Sequence, residues 1–124
     1  MTIQKLYQNI DGDYDKAIRV LRIDKLIDKH IRRFAQNSVA EELFSAGESM
    51  DPAELFEAAH ALKGLTANLG LMKLSEVASE ITEEYRPGNV RQLSDDEVKE
   101  RIELVRELYD HTVAGIRRYE EESE

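Results

Sequence analysis

Apolar residues recur at intervals of three and four along most of the chain, and this helical spacing restricts the possible folds more than any other feature. The alternation typical of a strand is not sustained anywhere. Asp51 and Pro52 form a strong helix start, because aspartate can cap a helix and proline suits its first position. Gly70 and the Pro-Gly-Asn run at 87–89 are typical helix ends. The pattern predicts an all-α protein.

The chain divides into amphipathic segments that are joined by short or medium loops. The predicted helices cover residues 3–10, 14–34, 38–50, 51–70, 71–86 and 94–119. The second segment forms either one bent helix or two. Ser38 with Glu41 and Ser94 with Glu97 are expected to be capping boxes at two of the helix starts. Because short connections favour antiparallel neighbours, we expect an up-and-down antiparallel four-helix bundle with one or two short extra helices at its N-terminal side.

The composition is typical of one domain with a heavily charged surface. Of the 124 residues, 41% are apolar and 35% are charged, and the formal net charge is -9. We expect a single domain over residues 1–124, with a frayed acidic tail at 120–124. The acidic balance disfavours nucleic acid and anionic membranes as partners. The chain has no cysteine, no run of about 18 apolar residues and no signal-peptide pattern, so we expect a cytoplasmic protein. We also expect a monomer.

His60 and Gly64 are unusual in the interior of the helix predicted over 51–70. Nothing structural requires a histidine there, and a glycine in mid-helix costs about 1 kcal/mol relative to alanine. Projection at about 100° per residue gives a core stripe of Leu55, Ala59, Leu62, Thr66 and Leu69. A second group lies on roughly the opposite side: Phe56, His60, Lys63, Gly64 and Ala67. His60 is therefore predicted to face solvent.

This second group is either an ordinary polar face or a docking surface around a nucleophile. Near neutral pH a histidine is largely unprotonated and offers a ring nitrogen as nucleophile. Lys63 could neutralise an added phosphoryl group, and Gly64 would let a partner approach the helix backbone. The chain has no phosphate-binding glycine loop, so a stoichiometric phosphoryl carrier is favoured over an autonomous kinase.

The run AHALKGLTANLG at 59–70 resembles the signature of histidine-containing phosphotransfer (HPt) domains. That signature reads His-x-Leu-Lys-Gly, then small residues, then Leu-Gly before the following helix. The resemblance covers the two central helices, residues 51–86, and the other helices agree in number, length and apolar spacing. It implies a four-helix bundle whose exposed histidine relays a phosphoryl group to and from receiver-domain aspartates in a two-component phosphorelay.

The resemblance also implies roles for individual residues. His60 matches the phosphoacceptor, Lys63 the cation that stabilises the phosphoryl group, and Gly64 the position that gives the partner clearance. Many family members carry a polar residue on the next helix that hydrogen-bonds the imidazole. Thr82 or Glu83 is the expected counterpart, although the glutamine or glutamate common in the family is not clearly matched.

Two positions on the histidine face, Phe56 and Ala67, are expected to contact the partner. Phe56 is an apolar side chain on a face predicted to be exposed, which is typical of a docking surface. Leu65 is bulkier than the small residue that usually follows the motif glycine, so the docking surface is expected to differ from that of other members.

The expected partners are the receiver domain of a response regulator and a hybrid histidine kinase. We expect no cofactor on this chain, since any magnesium would belong to the receiver domain. Two alternatives are a helical adaptor that docks a receiver or kinase without carrying phosphate, and the phosphoacceptor domain of a chemotaxis-type kinase. The initiating Met1 and the acidic tail favour a complete chain over the last of these.

The remaining histidines and acidic runs are expected to be structural or solvated. His30 lies among basic residues and His111 neighbours core positions, and no two histidines have the four-residue spacing of a helical zinc site. The three aspartates of residues 11–15 mimic the start of a calcium loop. Lys16 and Arg22 occupy the positions where that loop needs glycine and glutamate, so no metal is expected.

Overall fold

The amphipathic segments fold as seven α-helices, without a strand, in the computed structural model, which describes residues 1–122. The helices are α1 (Ile3–Asn9), α2 (Tyr14–Leu21), α3 (Asp24–Phe34), α4 (Val39–Ser49), α5 (Pro52–Asn68), α6 (Met72–Tyr85) and α7 (Asp95–Glu122). Helices α4 to α7 form a ring in which each packs on the next and α7 packs on α4. The expected all-α four-helix bundle is therefore confirmed.

The part of the chain before the bundle folds as three helices, one more than the upper number expected. The segment that the sequence left as one bent helix or two is two, because Arg22 adopts a positive φ of 78° and ends α2. The next residue, Ile23, is extended and starts α3. Helices α1 and α3 pack on α7, and α2 packs on α5, so these helices cover one side of the bundle.

Two of the predicted helix starts have the expected caps. The Asp51 Oδ1 accepts hydrogen bonds from the backbone N–H groups of Ala53 at 2.9 Å and Glu54 at 3.1 Å. Ser94 and Glu97 form a reciprocal capping box, with N–H to side-chain distances of 3.0 and 3.1 Å. These caps fix where α5 and α7 begin.

The capping box predicted for Ser38 and Glu41 is wrong. Ser38 has a helical backbone with φ -87° and ψ 0°, and its hydroxyl caps no backbone N–H. The preceding Asn37 takes this role instead, since its Oδ1 accepts from the Val39 N–H at 2.8 Å. The cap thus lies one residue earlier than the pattern predicted.

Helix α7 continues to Glu122 and so includes residues 120–122 of the acidic tail; the last two positions, 123 and 124, lie outside the described residues, and the fraying of the tail stays a prediction. Tyr119 anchors this end, because its ring is buried and its hydroxyl donates to the Asp28 carboxylate at 2.5 Å. Glu120 also pairs with Arg32 of α3 at 3.8 Å. Although α7 is 28 residues long, no helix within residues 1–122 is apolar enough to cross a membrane.

The turn between α5 and α6 is closed from outside by the N-terminal segment. Gly70 has a φ of 72°, and its carbonyl oxygen accepts from the Asp13 N–H at 2.7 Å. The buried Tyr7 hydroxyl donates to the Leu69 carbonyl at 2.6 Å, and burial raises the pKa of Tyr7 well above its ordinary value. The turn is therefore held both by its own geometry and by α1 and the α1–α2 connection.

Replacing Gly70 by alanine is expected to lower the free energy of unfolding by about 3 kcal/mol or more, measured by urea denaturation. The positive φ disfavours a side chain, and a Cβ here would collide with the Asp13 carbonyl oxygen. Gly88 is the matched control, since its φ is 92° but nothing lies within 4 Å of an added Cβ. Gly88→Ala should cost only about 1–2 kcal/mol. Equal losses in the two variants would contradict the packing role of Gly70.

Candidate functional site

Helix α5 has a buried face and an accessible face, as the sequence predicts. The five residues of the core stripe are all buried: Leu55, Ala59, Leu62, Thr66 and Leu69. On the other side His60 and Gly64 are exposed, whereas Phe56, Lys63 and Ala67 are half-buried at the edge of the bundle. The prediction that His60 faces solvent is confirmed.

The His60 ring lies beside Phe56, one turn earlier on α5. The ring centroids are 5.4 Å apart and the planes are tilted by 49°. Arg86, at the end of α6, places its guanidinium carbon 5.5 Å from the centroid of Phe56. The aromatic ring therefore contacts the imidazole and also an arginine, which is attracted to its π face.

Glu83 links this arginine to Lys63. Its carboxylate accepts two hydrogen bonds from Arg86, both 2.9 Å long, and its Oε1 lies 4.0 Å from the Lys63 Nζ. The hydrogen bonds from Arg86, more than the charges of Arg86 and Lys63, lower the pKa of Glu83, so its carboxylate is ionised at neutral pH. Asn89 in the following loop donates to the Glu83 carbonyl at 2.9 Å. Two cations and one anion thus connect Phe56 with Lys63, the residues that flank His60 along α5.

Arg86 is not among the site residues that the sequence predicts. The only sequence signal for it is the three-residue spacing from Glu83, which is typical of an ion pair on a helix surface. Its contact with Phe56 depends on how α6 packs against α5, which a spacing on one helix does not reveal.

Thr82 and Glu83, the residues predicted to orient the imidazole, are both engaged elsewhere. Thr82 is fully buried, and its hydroxyl donates to the Ala78 carbonyl at 2.7 Å. Glu83 binds Arg86 and Lys63. No hydrogen bond to the His60 imidazole occurs in the part of the chain that the structure describes. The assignment of a ring-orienting residue therefore stays a prediction.

Gly64 lies in open space on the same face as His60. A Cβ added at this position would meet no atom within 4 Å, apart from the backbone of its own helix turn. Over residues 1–122 no packing contact therefore requires glycine here, in contrast to Gly70. Alanine would make the helix more stable at this position.

His111 and the acidic run have ordinary structural surroundings. The His111 Nε2 is 3.2 Å from the Asn9 carbonyl oxygen at the end of α1. Asp13 caps α2 by accepting from the Lys16 N–H at 3.0 Å, and Asp11 pairs with Lys73 at 3.6 Å. Nowhere between residues 1 and 122 do three His, Asp or Glu side chains cluster in a way that could hold a metal ion.

The family model for the Hpt domain matches residues 25–114, which is more than half of the chain. The protein therefore belongs to the Hpt-domain family, whose members act in histidine phosphotransfer in two-component signalling. The match includes α4 to α6, nearly all of α3 and the part of α7 up to residue 114, and it leaves α1, α2 and the end of α7 outside. No curated protein and no solved structure gave a significant match to the chain.

Replacing Gly64 by alanine is expected to raise the free energy of unfolding by about 0.5–1 kcal/mol. The added methyl group has space, and alanine loses less backbone entropy than glycine in a helix. Urea denaturation of the purified variant measures the difference. A destabilised Gly64→Ala variant would mean that the glycine is needed for the fold itself.

Proposed function

We propose that the protein is a phosphotransfer protein that accepts a phosphoryl group on His60 from one receiver-domain aspartate and passes it to another. A hybrid histidine kinase supplies the group through its receiver domain. The observation that carries this proposal is an exposed histidine in mid-helix, with Lys63 and an unpacked Gly64 beside it, in a chain of the Hpt family. The chain acts in the cytoplasm as a monomer.

In the proposed reaction the unprotonated ring nitrogen of His60 attacks the phosphorus of the aspartyl phosphate in line. The nitrogen–phosphorus bond forms while the bond from phosphorus to the aspartate oxygen breaks, and the electron pair leaves with the carboxylate. The proton on the second ring nitrogen stays in place. The second receiver reverses the step, and its own magnesium neutralises charge there, so this chain needs no cofactor.

Each neighbour of His60 has a simple part in this proposal. Lys63 places an ammonium one turn from the new phosphoryl group and offsets its negative charge. Gly64 leaves room for the loops of the receiver domain next to the helix backbone. Phe56 and Ala67, half-buried on either side, supply apolar contacts for docking.

The adaptor alternative, in which the chain docks a receiver without carrying phosphate, has no comparable support. An adaptor needs neither a nucleophile nor a nearby cation, and no residue beside His60 is explained better by it. The test below separates the two, because an adaptor binds the receiver but takes up no phosphoryl group.

Replacing His60 by glutamine is expected to abolish transfer of an acid-labile label from a phosphorylated receiver domain, because glutamine offers no nucleophilic nitrogen. His30→Gln and His111→Gln are matched controls and should be labelled like the wild type. Label on His60→Gln equal to that on the wild type would refute the assignment. Receiver binding without any label on the wild type would favour the adaptor.

The Gly64→Ala variant is expected to transfer about tenfold more slowly or worse, although its fold is more stable. The added methyl group projects into the space proposed for the receiver, and a small misplacement at a reacting centre is costly. Rapid-quench measurement of label transfer at several receiver concentrations gives the rate. An unchanged rate would show that the partner does not approach the helix at Gly64.

A further inference from the structure

A continuous series of side-chain contacts links Phe56 and Lys63 of α5 through two residues at the end of α6. Phe56 contacts Arg86 at 5.5 Å, Arg86 holds Glu83 through two bonds of 2.9 Å, and Glu83 lies 4.0 Å from Lys63. Phe56 is one turn before His60 and Lys63 is one turn after it. Arg86 and Glu83 therefore connect the two residues that flank His60 along α5.

We propose that a phosphoryl group on His60 displaces Glu83 from Lys63 and Arg86, so that Arg86 becomes a second cation for the phosphoryl group. Glu83 then sets the stability of the phosphohistidine, since it competes with the phosphoryl group for both cations. This inference rests on the proposed function of His60. It adds a phosphoryl-binding residue and a negative control element that the sequence motif does not contain.

The charges favour such an exchange. Lys63, Arg86 and Glu83 together carry a net charge of only plus one. A phosphoryl group adds about two negative charges at neutral pH and three strong acceptor oxygens. With Glu83 in its present place, that group would compete with a carboxylate for cations that are already paired. If Glu83 turns away, both cations are free to bind it.

The exchange is also cheap, because the side chains involved are accessible to solvent. The Lys63, Glu83 and Arg86 side chains are 35%, 48% and 38% exposed. Ion pairs at such positions contribute little to stability, so water can replace Glu83 without a large cost. The 4.0 Å distance from Glu83 to Lys63 is the longer of the two ion pairs in the series, and this pair is the easier one to break.

The first test measures the equilibrium of phosphoryl exchange between the protein and a receiver domain that labels the wild type. Glu83→Gln is expected to raise the equilibrium ratio of phosphorylated to unphosphorylated protein about three- to tenfold, because a competing carboxylate has been removed. Raising the ionic strength to about 1 M should shrink this gain, since a charge effect is screened. Glu80→Gln is the matched control: it lies on the same helix and also pairs with an arginine, Arg101 of α7, at 2.8 Å.

The second test asks whether Arg86 binds the phosphoryl group or only neutralises Glu83. In the Glu83→Gln background, Arg86→Gln should still lower the exchange equilibrium about three- to tenfold if the arginine binds the phosphoryl group directly. If Arg86 serves only Glu83, its replacement has no effect once the carboxylate is gone, and that result would overturn the proposal.

A spectroscopic measurement separates binding from a merely structural effect. Phosphoramidate serves as the small-molecule donor, and nitrogen–proton NMR spectra are recorded before and after His60 is phosphorylated. The Arg86 Nε–Hε resonance should shift, because the guanidinium changes partner from Glu83 to the phosphoryl group. An unmoved resonance on a phosphorylated protein would refute the exchange.

Failure of this inference and failure of the proposed function have different signatures. If the wild type takes no label on His60, the proposed function is wrong. If the wild type is labelled and Glu83→Gln behaves like Glu80→Gln, only the role of Glu83 is wrong.

Discussion

The pairing of α5 with α6 depends on the turn at Gly70. The glycine reverses the chain with a φ of 72°, and the Asp13 N–H and the Tyr7 hydroxyl hold the turn from outside. This closure fixes the antiparallel register of the two helices. The register in turn places the end of α6 beside α5, and this is why Arg86 contacts Phe56 and Glu83 contacts Lys63, the two residues that flank His60.

The two faces of α5 differ in what they contact. One face packs into the core and explains the apolar stripe in the sequence. The other face is accessible, and at its centre Gly64 serves no contact within residues 1–122. A helix that keeps a glycine without a packing reason gives up stability at that point. The loss makes physical sense if a second protein must approach the backbone there.

Much of the fold could be predicted from the sequence, because its signals are local. The Asp51 cap and the apolar stripes depend on spacing along one helix, and both are confirmed. The Ser38 box was wrong because two adjacent polar residues compete to cap the same helix, and Asn37 has the geometry for it. The site was only partly predictable. The exposure of His60 follows from periodicity, but the position of Arg86 depends on packing between helices, which no local pattern encodes.

The proposed function depends on which residue carries the phosphoryl group. The most direct measurement is tandem mass spectrometry of the protein after brief incubation with a phosphorylated receiver domain, with fragments kept at neutral to alkaline pH. We predict a phosphorylated peptide in which the modified residue is His60. Modification of His30 or His111 with an unmodified His60 would contradict the account.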